Sequence, residues 1–234
     1  ITPRGPDPIL FGIRGETPDI VKKAFSMVKT LEPVERWMIF RTNQGTDAHL
    51  TRVETIKDIQ PYRSVIAKGV VSRPPKVVPV RHVVFALKDD TADVDCAAYE
   101  PTGDLRKIAR QLTVGDTVEV YGAARKTPGR ALTINLEKIH VLQLTPKFVQ
   151  QNPTCINCGK RLKSMGQNQG FRCEKCGARY SDAAKTKVAV ARGLNAGLYA
   201  TSTRSQRHLT KPLRRYGLEK HGEAPPTMVA PWHS

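Results

Sequence analysis

The sequence predicts a multidomain α+β protein in which a strand–helix–strand unit, a five-stranded barrel, a zinc ribbon and a basic C-terminal extension follow one another. Three observations support this prediction. An amphipathic helix between two apolar runs opens the chain, several β-type runs with little helix follow, and two Cys-x-x-Cys pairs come after them. A length of 234 residues is enough for two or three small domains, each with its own core.

The first predicted element is a βαβ unit. Residues 9–15 and 37–40 are short apolar runs typical of strands, and Thr17 and Pro18 are residue types that begin helices. Apolar residues then recur at helical spacing through residues 20–31. Two strands are too few to form a covered sheet, so we expect further strands of this domain to precede residue 1.

A polar segment, Arg41–His49, follows the second predicted strand. Polar side chains at the C-terminal end of a strand often line the ligand site of an α/β unit. An ordinary polar surface loop is the alternative, and composition alone leaves both interpretations open.

The middle of the chain carries five β-type runs, with one short helical segment at residues 105–112 between the third and the fourth run. This order is that of an OB fold, and another kind of all-β barrel is the alternative. We expect Cys96, in the third run, to be a small buried residue and not a ligand. The five runs span residues 65–71, 80–87, 94–99, 117–122 and 131–144.

OB folds bind nucleic acid on the face of their second and third strands and in the adjoining loops. Arg73, Lys76 and Arg81 fall in the first loop and on the second predicted strand, which makes them candidate RNA contacts. Few aromatic residues accompany them, so a barrel with a purely architectural role stays open as the alternative.

Two Cys-x-x-Cys pairs, Cys155 with Cys158 and Cys173 with Cys176, are separated by fourteen residues. Four thiolates at this spacing predict one tetrahedral zinc, and four protein sulfurs leave no open coordination position, so the zinc is structural. A glycine follows each pair and allows the backbone to turn around the sulfurs. Free or disulfide-bonded cysteines are the alternative.

The net charge of +17 is concentrated in the second half of the chain. Residues 145–234 carry 16 Lys and Arg against 4 Asp and Glu, a net charge of +12. A zinc module in such a basic region indicates contact with nucleic-acid phosphates, and a solvated basic surface is the alternative. The candidate RNA contacts in this half are Lys160, Arg161, Lys163, Arg172, Arg179, Arg207, His208, Lys211, Arg214 and Arg215.

Beyond the ribbon we predict a helix over residues 183–192 with Asp182 as its cap. The basic segment at residues 204–216 is either an ordered RNA-contacting extension or a disordered tail. We expect residues 224–227 to be mobile. The cysteine usage and the lack of a signal peptide or a long apolar run predict a reducing, cytoplasmic compartment and no membrane contact.

The order of these features resembles the archaeal tRNA-Ile agmatidine synthetases, the TiaS family. An incomplete βαβ unit ending in Thr42-Asn-Gln-Gly-Thr-Asp-Ala-His49 precedes an OB fold and a four-cysteine ribbon. Phe11-Gly-Ile-Arg-Gly15 and His208-Leu-Thr-Lys-Pro212 extend the resemblance over essentially the whole chain. Enzymes of that family spend ATP to attach agmatine to C2 of the wobble cytidine in the isoleucine tRNA with a CAU anticodon.

The resemblance implies tRNA docking by the OB fold and ribbon, and a partial ferredoxin-like domain beside the agmatine and anticodon site. It makes Arg14, Asn43, Gln44 and Asp47 candidate substrate-binding residues, with Asp47 for a cationic group of agmatine and Arg14 for a phosphate. No kinase-like domain or P-loop is visible in the sequence. ATP and Mg are therefore expected in an upstream kinase-like domain of the same enzyme, and no catalytic residue is assigned here.

The predicted domains are a partial ferredoxin-like domain at residues 1–62, an OB fold at 63–146, a zinc ribbon at 147–182 and a basic extension at 183–234. The predicted function is the tRNA-binding C-terminal part of an ATP-dependent, tRNA-modifying ligase. A stand-alone nucleic-acid-binding module without catalytic activity is the alternative.

Overall fold

The computed structural model describes residues 9–129, 131–218, 231 and 233, with only the backbone of residue 80. The chain forms two compact units, one within Ile1–Gln44 and Arg215–Ser234 and the other at Gly45–Arg214. The predicted α+β class, the OB barrel and the four-cysteine ribbon are confirmed. None of the described helices is long and apolar enough to cross a membrane.

The described residues of the first unit contain one α-helix, α1 (Pro18–Met27). It begins where the sequence predicts, because the hydroxyl of Thr17 accepts a hydrogen bond from a first-turn N–H (3.3 Å) and proline fills the first helical position. Phe25 on this helix lies with its ring centroid 6.1 Å from that of Phe11 and 6.2 Å from that of Trp37. This aromatic contact fixes the segments on either side of the helix.

The two strands predicted on either side of α1 are not formed, and that part of the prediction was wrong. Within the described residues, segments 9–15 and 37–40 make one β contact, an isolated bridge between Met38 and His233. An extended segment becomes a strand only when a neighbouring strand takes up its backbone donors and acceptors. Apolar composition alone therefore does not make these segments strands.

A five-stranded barrel forms the centre of the second unit. The short strand β1 (Leu50–Arg52) is followed by the barrel strands β2 (Ser64–Val78), β3 (His82–Lys88), β4 (Asp93–Ala98), β5 (Thr117–Arg125) and β6 (Thr133–Gln143). The hydrogen-bonded order runs β2–β3–β4–β6–β5 and returns to β2, so the barrel is closed and the edges of its strands are paired. Only the β4–β6 pair among these five is parallel.

The barrel core follows from the alternation of apolar residues along the strands. Val83, Phe85 and Leu87 on β3 point inward and are at most 1% exposed. The short helix α2 (Asp104–Ala109) lies between β4 and β5 and packs its leucine and last alanine into the same core, which completes the predicted OB order. Cys96 is fully buried, as expected, and its burial raises the pKa of its thiol.

The ribbon is a three-stranded sheet of very short strands, joined to the barrel by a two-stranded arm. The arm consists of β7 (Lys147–Gln151) and β11 (Thr186–Val190), and the ribbon sheet consists of β8 (Lys163–Ser164), β9 (Phe171–Arg172) and β10 (Arg179–Tyr180). The helix predicted over residues 183–192 was wrong. Its β-branched residues at 186, 188 and 190 alternate along β11, and β7 supplies the hydrogen-bonding partner for a strand.

A buried ion pair anchors the arm to the barrel. Arg192, just after β11, donates from both terminal nitrogens to the carboxylate of Asp116, the residue before β5. Asp116 is fully buried and also accepts from the N–H groups of Thr113 and Thr145, each at 2.8 Å. Burial opposes ionisation of Asp116, but these hydrogen bonds outweigh it and hold the pKa of Asp116 below its ordinary value.

Two further strand pairings lie outside the predicted OB boundaries. β1 runs parallel to the start of β2, and β12 (Gly197–Ala200), beyond the ribbon, runs antiparallel to β6. Residues 45–62, which we placed with the first domain, therefore lie in the same compact unit as the barrel. The structure describes the whole basic segment, residues 204–216, whereas residues 224–227 lie outside the described residues.

Candidate zinc centre and nucleic-acid interface

Each Cys-x-x-Cys pair folds into the same backbone turn. In the first turn the N–H of Gly159 donates to the carbonyl of Cys155 (2.8 Å), and in the second the N–H of Gly177 donates to the carbonyl of Cys173 (3.0 Å). The two glycines have φ angles of 69° and 76°, in the left-handed region that their position after each pair predicts. The two turns aim their cysteines at one point.

The four cysteine sulfurs of the ribbon lie within 4.8 Å of one another. The Sγ atoms of Cys155 and Cys176 are 3.5 Å apart, and those of Cys158 and Cys173 are 3.4 Å apart. Four sulfurs held tetrahedrally around a zinc at about 2.3 Å are about 3.8 Å from one another, so the residues fit the metal closely. These four cysteines form the structural zinc site of the chain, and all five cysteines are unbridged.

Tyr180, on the last ribbon strand, supports this site and was missed in the sequence. Its hydroxyl lies 3.2 Å from the Sγ of Cys155. The hydrogen bond from Tyr180, together with the N–H groups of Cys158 and Asn157, lowers the pKa of Cys155 to about 6. A thiolate is the form that binds zinc, so these donors favour the ligand state of Cys155.

Three cations form a row across the ribbon sheet. Lys163 is the register partner of Arg172, and Arg172 is the register partner of Arg179, so the three side chains share one face. Like charges directly opposite one another destabilise a sheet unless an anion lies between them. Glu174 compensates one end, with its carboxylate 2.5 Å from Lys163 and 3.8 Å from Lys160. Three further candidate RNA contacts are also exposed, namely Lys160, Arg161 and Arg214.

Two of the three predicted RNA contacts on the barrel, Arg73 and Lys76, lie beside a pair of adjoining shallow grooves. Arg73 and Lys76 line one groove of about 670 Å³ that shares Val84 with a second groove of about 420 Å³. Arg73 is exposed and forms an ion pair with Asp95, which also lines the second groove. Arg81 is exposed and lies outside both grooves, with its backbone at a left-handed φ of 60°.

The second groove contains an aromatic pair that the sequence analysis missed. The rings of His82 and Tyr99 meet edge to face with their centroids 4.8 Å apart. The Nδ1 of His82 accepts a hydrogen bond from the N–H of Glu100 (3.0 Å), which fixes the orientation of the imidazole. His82 begins β3 and Tyr99 follows β4, and these are the second and third strands of the barrel. The pair therefore lies on the face where OB folds stack nucleic-acid bases.

Asp47, the predicted contact for agmatine, joins two distant segments of the second unit. One carboxylate oxygen accepts the N–H of Lys211 (2.7 Å), and the other pairs with the ammonium of Lys138, whose side chain is fully buried. The N–H of Asp47 donates to the carbonyl of Leu209 (2.8 Å). Burial lowers the pKa of Lys138, although Asp47 opposes that shift. Asp47 thus ties the basic segment to β6.

Glu137, the neighbour of Lys138 on β6, makes a second connection of the same kind. Its carboxylate lies 3.0 Å from the Nε2 of His49 and 3.6 Å from the Nε of Arg207. His208 is exposed, and its carbonyl accepts the N–H of Gly45 (2.9 Å). Two predicted RNA contacts are therefore held in place by residues that sequence analysis did not identify.

The remaining candidates belong to the first unit. Arg14 and Asn43 are exposed, and Gln44 is half-buried. A guanidinium N–H of Arg215 donates to the carbonyl of Gln44 (3.1 Å), and the same group pairs with Glu16 at 2.9 Å. Glu16 compensates the charge of Arg215, so this arginine has a structural partner inside its own unit.

Comparison with known proteins gives the same domain order. Residues 1–49 match the TiaS FLD domain, residues 65–142 the OB-fold nucleic acid binding domain, and residues 152–194 the TiaS C-terminal zinc ribbon domain. The tRNA 2-agmatinylcytidine synthetase TiaS of Methanosarcina acetivorans is 46% identical over 214 residues, which cover 91% of this chain and 48% of that protein.

Two solved structures agree with this relationship. The apo form of the tRNA agmatidine synthetase TiaS is similar to this chain with a TM-score of 0.75 and 43% identity, over 92% of this chain and 49% of the other. The complex of TiaS with its isoleucine tRNA, AMPCPP and agmatine is similar with a TM-score of 0.71 and 40% identity, over 92% and 48%. The chain spans about half the length of the curated relatives it matches. It carries the FLD, OB-fold and zinc-ribbon domains in their order and belongs to the TiaS family.

Proposed function

We propose that this chain is the tRNA-binding part of an ATP-dependent ligase that attaches agmatine to the wobble cytidine of the CAU-anticodon isoleucine tRNA. The observation that carries the binding role is the row of three cations across the ribbon sheet, at Lys163, Arg172 and Arg179. Such a row is stabilised by a polyanion, and a phosphate backbone supplies one. The solved complexes of related TiaS proteins with tRNA support tRNA as this polyanion.

The barrel contributes a second contact of a different kind. The grooves beside Arg73 and Lys76 combine cations with the His82–Tyr99 pair, so they suit an unpaired nucleotide whose base stacks and whose phosphate meets a cation. The ribbon row suits backbone phosphates alone. In this proposal the ribbon provides affinity and the barrel groove holds an unpaired segment of the tRNA.

The substrate-side residues are proposed for the first unit. Arg14, Asn43 and Gln44 stay our candidates beside agmatine and the reacting cytidine. Asp47 is assigned to holding the basic segment on the barrel, because both of its carboxylate oxygens already have partners. ATP and Mg would be held by the kinase-like part of the enzyme, and no residue of this chain is proposed for that role.

Binding is tested with the 234-residue chain and a transcript of the CAU-anticodon isoleucine tRNA. Each phosphate contact contributes a slope of about 0.7–0.9 in log K against log salt. Replacing Lys163, Arg172 and Arg179 together with Gln should flatten that slope by about 2–3 units. The control replaces three exposed lysines of the barrel unit with Gln, at positions 57, 68 and 88. Affinity independent of salt, or a preference for duplex DNA over tRNA, would count against the proposal.

Catalysis is tested by reconstitution with ATP, agmatine and the same tRNA. We expect no modification by the chain alone, because phosphoryl transfer needs a nucleotide, a metal ion and the attacking oxygen held together. Joined to the N-terminal half of the Methanosarcina relative, the chain should support transfer of agmatine. If the joined protein binds tRNA but transfers nothing, a stand-alone nucleic-acid-binding module becomes the better description.

A further inference from the structure

Tyr62 is an exposed aromatic residue in a strained backbone conformation. Its φ angle is 65°, a left-handed value that costs a bulky L-residue free energy and that glycine adopts readily. Its side chain gains little burial in return, since the residue is 68% exposed. Strain held at an exposed aromatic residue points to a role in binding, because packing does not explain it.

Three contacts fix the position of this ring. The backbone N–H of Tyr62 donates to the carbonyl of Ala124 (2.8 Å), and its hydroxyl donates to the carbonyl of Lys126 (3.1 Å). The guanidinium of Arg125 lies over the ring, 6.0 Å from the centroid. The ring is therefore held at both ends and stacked by a cation, while most of its surface stays open to solvent.

The charge around Tyr62 is positive. Arg63, Arg125 and Lys126 are all exposed, and no ion pair within the described part of the chain joins them to a carboxylate. Arg125 is also the register partner of Thr133, which lines the second groove of the barrel. The Tyr62 ring and that groove are thus neighbours on the barrel, joined through one β5–β6 pair.

We propose that Tyr62 and Arg125 form a base-stacking site for an unpaired RNA base. This base would be adjacent, in the RNA strand, to the base held in the barrel groove. A nucleobase stacks on an aromatic ring and on the plane of a guanidinium, and the adjoining cations meet the flanking phosphates. With this left-handed backbone the ring is exposed to solvent, where a base can reach it. This inference rests on the proposed RNA binding by the barrel.

The test uses Tyr62→Gly in the full chain, because glycine relieves the backbone strain while removing the ring. We expect the melting temperature to stay within about 4 °C of wild type. Affinity for a single-stranded RNA 12-mer should fall by about 5- to 150-fold, which is the range for loss of one stacked base. The slope of log K against log salt should not change, because no phosphate contact is removed.

Two further variants separate stacking from other roles. Tyr62→Phe keeps the ring and should retain most of the affinity, whereas Tyr62→Leu keeps bulk without a π face and should match the glycine variant. Arg125→Gln should lower both the affinity and the salt slope. A blunt RNA duplex of the same sequence serves as the control probe, and its binding should be unaffected by any substitution at Tyr62.

The outcomes are distinguishable. If wild type binds the 12-mer and Tyr62→Gly binds it equally well, the proposed base-stacking site at Tyr62 is refuted while the proposed RNA binding stands. If wild type binds neither the 12-mer nor tRNA, the proposed function itself fails. Should Tyr62→Gly prove unstable, equal affinities of the Phe and Leu variants would refute the inference in its place.

Discussion

Replacing Arg192 with Met tests the buried ion pair that anchors the ribbon arm. The side chain of Arg192 is 9% exposed and that of Asp116 is 0% exposed, so the substitution leaves a carboxylate buried without its cationic partner. Removing one member of a buried pair costs about 3–5 kcal/mol, because the remaining charge keeps its desolvation penalty. For a unit of this size, each kcal/mol lowers the melting temperature by about 2–4 °C, so we expect a decrease of about 6–20 °C.

The assay is thermal unfolding followed by circular dichroism in buffer with zinc, with exposed Arg110→Met as the matched control. The double variant Asp116→Asn/Arg192→Met should be more stable than Arg192→Met alone, because it removes the unpaired charge. If Arg192→Met melts within about 2 °C of the control, the ion pair does not anchor the arm.

The Arg192–Asp116 pair also predicts how the stability of the fold depends on pH. The pKa of Asp116 is held below its ordinary value in the folded chain, so its stabilisation is present above the ordinary aspartate pKa of about 3.9. That stabilisation is lost as the pH falls through the lowered folded value. The difference in melting temperature between wild type and Arg192→Met should therefore narrow below about pH 4, and a difference that widens there would contradict the argument.

Three other predictions concern the metal, the basic segment and its two arginines. Elemental analysis should find one zinc per chain, and Cys158→Ser should lose metal; a variant with full metal content would exclude the four-cysteine assignment. Asp47→Asn should destabilise the second unit, because it removes the carboxylate that pairs with the buried ammonium of Lys138. In the joined enzyme this variant should weaken tRNA binding and have little effect on the KM for agmatine. A raised KM for agmatine with normal tRNA binding would instead support Asp47 as the agmatine contact. Arg214→Ala should reduce the slope of log K against log salt for tRNA binding by about one unit. Arg215→Ala should reduce this slope less, because Glu16 already compensates the charge of Arg215. Equal reductions in the two variants would contradict this prediction.

The zinc ribbon and the barrel were predictable because their signals are local. Four cysteines at fixed spacing determine a metal site with little help from the rest of the chain, and the glycines after each pair have the φ angles that the turns require. The first half of β2 alternates buried residues with less buried ones, and the other barrel strands are apolar runs bounded by turn residues, so both signals are readable in the sequence. In each case neighbouring residues determine the conformation.

The errors arose where the conformation depends on a partner far along the chain. β11 is a strand because β7 lies beside it, 35 residues away at Gln151 and Thr186, whereas no strand is formed at residues 9–15. The polar connections at Asp47 and Glu137 also join residues that are far apart in sequence. Their one sequence signal was the charged pair Glu137–Lys138 in the middle of a largely buried strand, which indicates buried partners without naming them.

The paired strands of the arm also determine how the ribbon responds to loss of its metal. The chain leaves the barrel after β6, forms the arm and the ribbon, and returns to place β12 on the same β6 strand. The ribbon is thus an insertion whose first and last segments, β7 and β11, pair with each other. The ion pair between Arg192 and Asp116 attaches these paired segments to the barrel. Metal removal should unfold the insertion while the barrel stays folded, so bound zinc would determine the proposed affinity for RNA without determining the stability of the barrel core.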